Sequence, residues 1–144
     1  CSISRLVHFG PPPAELMRRI EAAARVNAAF IAHSRPGVSL RDVLAHGRQA
    51  YASAAFPDEW RHHHQGGVVG YEPREYLATP GMSDLLAAGQ ALAWNPTVAG
   101  AKMEDTILVG ETANEILTPT QLWPVELVEF PYLPPVPCAL ALER

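Results

Sequence analysis

Three consecutive histidines, His62, His63 and His64, stand in the stretch WRHHHQGGVVGYEPREYLATPG. Imidazole is the commonest metal ligand and carries protons near neutral pH, so such a cluster offers either chemistry. A polar loop is the plainer alternative, and in a strand the three rings would alternate between faces. A second candidate is Glu104, in the run KMEDTILV. Period-two alternation puts Glu104, Thr106 and Leu108 on one face and Met103, Asp105, Ile107 and Val109 on the other. Both faces are otherwise apolar, so a strand here is covered on both sides and its carboxylate needs a partner, a proton or a metal. The alternative is a strand-end acid that reaches solvent or a nearby arginine. Between these groups lies Tyr71-Glu72-Pro73-Arg74-Glu75. Glu72 there either pairs with Arg74 or acts as an acid, and taken alone such a residue is more often a surface carboxylate.

The elements that must position these groups are legible from periodicity. Residues 1–9, with Ile3, Leu6, Val7 and Phe9, read as a strand ended by Gly10 and three prolines. From Ala14 to about Ser34, Leu16, Ile20, Ala23, Ala24, Asn27, Phe30 and Ile31 recur at helical spacing, and Arg35-Pro36-Gly37 closes the helix. Ser39 with Asp42 resembles a capping pair for a second helix from Leu40 to about Ala54. Its apolar side is Val43, Leu44, Gly47 and Tyr51, and the glycine predicts close helix packing. A short helical turn is expected from Ser83 or Asp84 to Ala88. Strands follow over Ala91–Asn95, Lys102–Val109 and Glu115–Leu117, with a tight connection between Pro96 and Gly100. Helices followed by strands predict an α+β fold: a curved antiparallel sheet with two helices on one side. The proline-crowded residues 119–144 are expected to form an extended tail packed on a 1–118 domain through Leu122, Trp123 and Tyr132.

The chain has 144 residues, enough for one cored domain, with 48% hydrophobic and 18% charged residues and a net charge of −4. No basic stripe supports nucleic-acid binding, and no apolar run reaches the ~18–20 residues of a membrane span. Cys1 and Cys138 make no disulfide framework, which points to a reducing cytoplasm. The chain opens directly in a strand-like pattern, without an initiator Met, as expected of a cut through a longer protein.

The order of the pieces resembles the C-terminal half of the pita-bread hydrolases of peptidase family M24. These are the Xaa-Pro aminopeptidases, prolidases and methionine aminopeptidases, with metal-free creatinase as a relative. Their His-x-x-Gly segment is similar to His64-Gln65-Gly66-Gly67, and their His-Glu pair to Tyr71-Glu72. Their Gly-Met strand ending in Glu-Pro resembles Gly89–Pro96, and their Ile-Glu-Asp-Thr strand resembles Met103-Glu104-Asp105-Thr106. Their Ser-Asp-x-Thr-Arg strand is similar to Cys1-Ser2-Ile3-Ser4-Arg5.

By that resemblance His64 and Glu104 keep two of five metal-ligand positions, and the first, an aspartate in the family, would lie before residue 1. Neutral Ser2 and Asn95 stand where the family has carboxylates, and Tyr71 stands where it has its substrate-contacting histidine. A pair of divalent ions brings four positive charges, which one imidazole and one carboxylate do not offset. A single weakly held ion (Mn, Co or Zn) remains open, since Ser and Asn oxygens coordinate hard cations. The resemblance implies a fragment of an M24-type hydrolase with an incomplete two-metal site, acting on a peptide or small amide. Its expected residues are His64, Glu104, Glu72 and Tyr71, the full-length protein is a possible homodimer, and the chain alone is expected to be inactive. One alternative is a metal-free, creatinase-like hydrolase with His64 as proton carrier and Glu104 as its orienter. The other is a non-catalytic protein that binds a peptide or protein through Trp60, Tyr71 and Trp94.

Overall fold

A computed structural model describes residues 1–144. The chain runs β1 (Val7–His8), α1 (Ala14–His33), α2 (Leu40–Ser53), β2 (Gly66–Val69), β3 (Tyr76–Leu77) and β4 (Ala91–Trp94). It continues through β5 (Thr97–Val98), β6 (Ala101–Lys102), β7 (Asp105–Leu108) and β8 (Glu115–Ile116) to β9 (Val125–Phe130), β10 (Leu133–Ala139) and β11 (Leu142–Glu143). The central sheet is antiparallel with strand order β3-β2-β4-β7-β8. The α+β class and the helix pair packed on a sheet are as predicted.

Helix α1 buries almost its whole middle, and its alanines at 22, 23, 24, 28, 29 and 32 keep it thin enough to lie between the sheet and its other neighbours. Helix α2 starts where Ser39 Oγ accepts from the Asp42 backbone N–H at 3.3 Å. Phe30 of α1 stacks on Trp94 of β4 with centroids 4.6 Å apart and planes 7° from parallel. The Trp94 indole N–H donates to Ser34 Oγ at 2.9 Å, so this buried ring leaves no orphan donor. Gly47 of α2 faces the same Phe30 ring, and a Cβ there would sit 2.1 Å from Cε1.

Three local expectations are corrected. Residues 102–109 do not form one strand. Lys102 pairs with Thr97 in the small β5–β6 hairpin, and a new strand begins at Asp105 against Trp94. Met103 N–H donates to Pro96 O at 3.0 Å, but Pro96 has no N–H to return, so the ladder breaks there. The helical turn at 83–88 is absent. Leu85 bridges Ser39, and Leu86 exchanges bonds with Val38 O and the Gly37 N–H. The loop before α2 thus offers that backbone partners outside itself. The tail is a β9–β10 hairpin, with β11 added parallel to β1. Leu122 and Tyr132 are fully exposed at turn corners, each with φ 64. Trp123 does anchor, through its indole N–H to Leu140 O at 2.6 Å. Val136 and Cys138 of the hairpin join the core beside α1.

No helix is long and apolar enough to cross a membrane. Gly47→Ala is expected to destabilise the fold by about 1–3 kcal/mol, since the Phe30 ring is held by Trp94 and cannot yield cheaply. Urea denaturation measures the loss, and adding Phe30→Leu to make room should recover part of it.

Candidate functional site

Glu104 and Asp105 are neighbours at the start of β7 and point to opposite faces. Asp105 turns toward the helices. It accepts from Arg5 Nη2 at 2.7 Å, Asn27 Nδ2 at 3.0 Å and Thr118 Oγ1 at 2.8 Å. Arg5 has all five of its N–H groups in use. Besides Asp105, it donates to the carbonyl oxygens of Ser4, Glu104 and Thr118 and to Thr120 Oγ1. This ties the N-terminal segment to β7, where the Ser4 N–H donates to Glu104 O at 3.1 Å.

Glu104 turns the other way and is 8% exposed. Its Oε2 accepts from Lys102 Nζ at 2.8 Å and Ser4 Oγ at 2.9 Å, and its Oε1 accepts from Arg74 Nη2 at 3.2 Å. Burial alone would raise its pKa. The Lys102 and Ser4 hydrogen bonds and the charges of Lys102 and Arg74 outweigh that and hold it below the ordinary carboxylate value.

Asn95 follows β4 beside this cluster, its N–H donating to Gln65 O at 3.0 Å. It is 7% exposed, and its Oδ1 has no partner. His64 precedes β2 on an exposed stretch. Partial burial lowers its pKa most, the charges of Arg74 and His63 lower it further, and Glu104 opposes them. His64 is therefore mainly neutral at pH 7 and lies within the electrostatic reach of the Glu104 cluster. It also opens into a cavity of about 330 Å³ with Leu44, Trp60, Leu77 and Pro80, whose walls do not include Glu104.

The remaining candidates lie apart. Tyr71 is 99% exposed, and Glu72 is an exposed loop residue whose backbone N–H donates to Glu75 Oε1 at 3.0 Å. Glu72 does not pair with Arg74, which reaches across to Glu104 instead. The Ser2 backbone exchanges hydrogen bonds with Thr106 Oγ1 at 2.7 and 2.9 Å. No three His, Cys, Asp or Glu side chains come together as a metal-holding group. The sequence reading missed Lys102, Arg74, Ser4 and Arg5. Lys102 was within reach, since it lies two residues before Glu104 and so shares its face.

A curved antiparallel sheet carrying two helices on one side and an imidazole and a carboxylate at its strand ends defines the pita-bread class of hydrolase folds. The model of metallopeptidase family M24 matches residues 1–111, and the chain belongs to that family. An uncharacterised peptidase of Staphylococcus epidermidis is 31% identical over 125 residues, covering 82% of this chain and 35% of that protein. The agropine synthesis cyclase of Rhizobium rhizogenes is 30% identical over 118 residues, covering 78% of this chain and 30% of that protein. The crystal structure of dipeptidase PepE from Mycobacterium ulcerans superimposes with a TM-score of 0.76 at 22% identity, over 99% of this chain and 36% of that one. The chain thus spans about a third of the length of the relatives it matches.

The ion pairs of Glu104 link stability to pH. Its pKa is lower folded than unfolded, so its contribution is fully present above the unfolded value near 4.5 and is lost as pH falls through the folded value. Glu104→Gln should flatten that acid limb. At neutral pH it should cost about 2 kcal/mol, because Arg74, 17% exposed, is left without its counter-charge. Thermal melts of both proteins over an acid pH series check both effects.

Proposed function

We propose that this chain forms part of the catalytic wall of an M24-type hydrolase that cleaves an amide-type C–N bond without a metal pair. The supporting observation is the state of Glu104. Both carboxylate oxygens are taken up by Lys102, Arg74 and Ser4, so the one acid at a metal-ligand position already has its counter-charge. Two other positions within this chain offer a carboxamide at Asn95 and a hydroxyl at Ser2, which add no negative charge, and the one expected before residue 1 brings at most one carboxylate. This donor set does not fit two divalent ions.

What the residues fit is acid–base catalysis. Neutral His64 accepts a proton from a water molecule as its oxygen adds to the substrate carbonyl carbon. Negative charge then develops on the carbonyl oxygen, and Arg74 and Lys102 place positive charge in the same region. When the C–N bond breaks, imidazolium His64 returns the proton to the leaving nitrogen. Glu104 fixes both cations and touches no reacting atom in this scheme. Asn95 supplies a hydrogen-bonding group from the floor of the site.

The full-length protein that contains this chain, freed of metal with chelator, is assayed on dipeptides and small amides. Hydrolysis is expected to survive the chelator and to fall by about 10²–10⁴-fold in His64→Ala. Hydrolysis that stops with chelator and returns with Mn²⁺, Co²⁺ or Zn²⁺ would overturn the metal-free reading.

A further inference from the structure

A cavity of about 630 Å³ lies between α1, α2 and β9, and none of its walls belongs to the Glu104 cluster. Helix α1 offers Arg25, Ala29 and His33, each four residues apart, and α2 offers His46 and Ala50 at the same spacing, with Ala54 just past its end. Strand β9 contributes five consecutive residues, Glu126 to Phe130. Consecutive strand side chains point to opposite faces. A cavity that touches all five must therefore run along the strand edge, against its backbone.

That edge is open. Strand β9 pairs only with β10, and Leu127 stands opposite Pro137, which has no N–H. The Leu140 N–H donates to Pro124 O at 2.9 Å. Antiparallel ladders alternate, so the paired bonds fall at Glu126–Cys138 and Val128–Val136. The N–H and C=O groups of Val125, Leu127 and Glu129 then turn away from β10 into the groove. No other backbone hydrogen bond uses them. Pro134, Pro135 and Pro137 crowd β10, whereas β9 carries no proline, so only one side of the hairpin is blunted against further pairing.

The complement of a bare strand edge is another extended backbone. Ala29, Ala50 and Ala54 leave room for its side chains. Glu126 and Glu129 outnumber Arg25 among the charged residues lining the cavity, and neither glutamate takes part in an ion pair. We propose that the β9 edge is a strand-addition site for an extended segment of a partner protein that carries lysine or arginine at alternate positions. Backbone hydrogen bonds hold the segment, and because Glu126 and Glu129 lie three apart, on opposite faces of β9, one of the two carboxylates meets its basic side chains and selects its charge. This site does not depend on the hydrolytic reading.

The probe is a fluorescent octapeptide of alternating lysine and valine, followed by anisotropy against the full-length protein. Saturable binding is expected, with none for the matching glutamate–valine peptide. The same basic peptide N-methylated at alternate residues cannot pair with the edge and should fail on the unaltered protein. Leu127→Pro removes one outward N–H while leaving the ladder intact. It should weaken binding about tenfold, the scale of one or two lost backbone hydrogen bonds, and Leu127→Ala should not. Equal binding of the N-methylated peptide, or no saturable binding of the basic one, overturns the proposal. So does self-association of the protein that Leu127→Pro abolishes, because the occupant would then be a second copy.

Discussion

Two adjacent carboxylates at the head of one strand set the constraint that organises this molecule. Strand alternation sends Asp105 to the helix face and Glu104 to the other, and each is almost wholly buried. A buried charge without partners costs several kcal/mol, so each face must supply its own donors. On the helix face Arg5, Asn27 and Thr118 do so. Arg5 then does more than neutralise. Its bonds to the carbonyl oxygens of Ser4 and Glu104 fix the N-terminal segment alongside β7. Ser4 Oγ is thereby placed on the opposite carboxylate. A guanidinium on the packed face determines what sits on the open one.

The helices hold those strand ends still. The alanines of α1 and Gly47 of α2 let the helices approach closely enough for Phe30 to stack on Trp94. Trp94 is paired with Asp105 and with Gly66. The stack therefore fixes β4 at the point where β2 and β7 meet it, just before the chain reaches Asn95 and just after His64 and Glu104. Because a packed interior does not deform continuously, a loss at Phe30 is transmitted to the site as a shift of strand ends rather than absorbed in the core.

What the sequence made legible was the part written in local periodicity. Apolar spacing located α1 and α2, Ser39 and Asp42 marked the helix start, and Gly47 signalled the close approach of a ring. Alternation alone separated Glu104 from Asp105. What stayed hidden depends on backbone partners that only the tertiary fold supplies. Strand-like alternation runs unbroken through Lys102–Val109, yet the chain changes partner where Pro96 cannot return a bond. Residues 83–88 have helical character but find the Gly37–Leu40 backbone instead. Arg74 had an acid two residues away in Glu72 and chose one thirty residues on. Leu122 and Tyr132 looked like anchors, but their positive φ places them at exposed corners.

The substitutions at the metal-ligand positions and the state of His64 are connected by electrostatics. In the proposed site, carboxylates in place of Ser2 and Asn95 would add two negative charges and, without metal ions, would favour a proton on His64. A protonated imidazole cannot accept a proton from water. With neutral groups there, burial lowers the His64 pKa most, and the charges of Arg74 and Lys102, only partly cancelled by Glu104, lower it further. In the proposed reaction the same field would make imidazolium His64 a stronger acid toward a leaving nitrogen. It also weakens the neutral ring as a base, and Glu104 limits that cost by cancelling half of the positive charge.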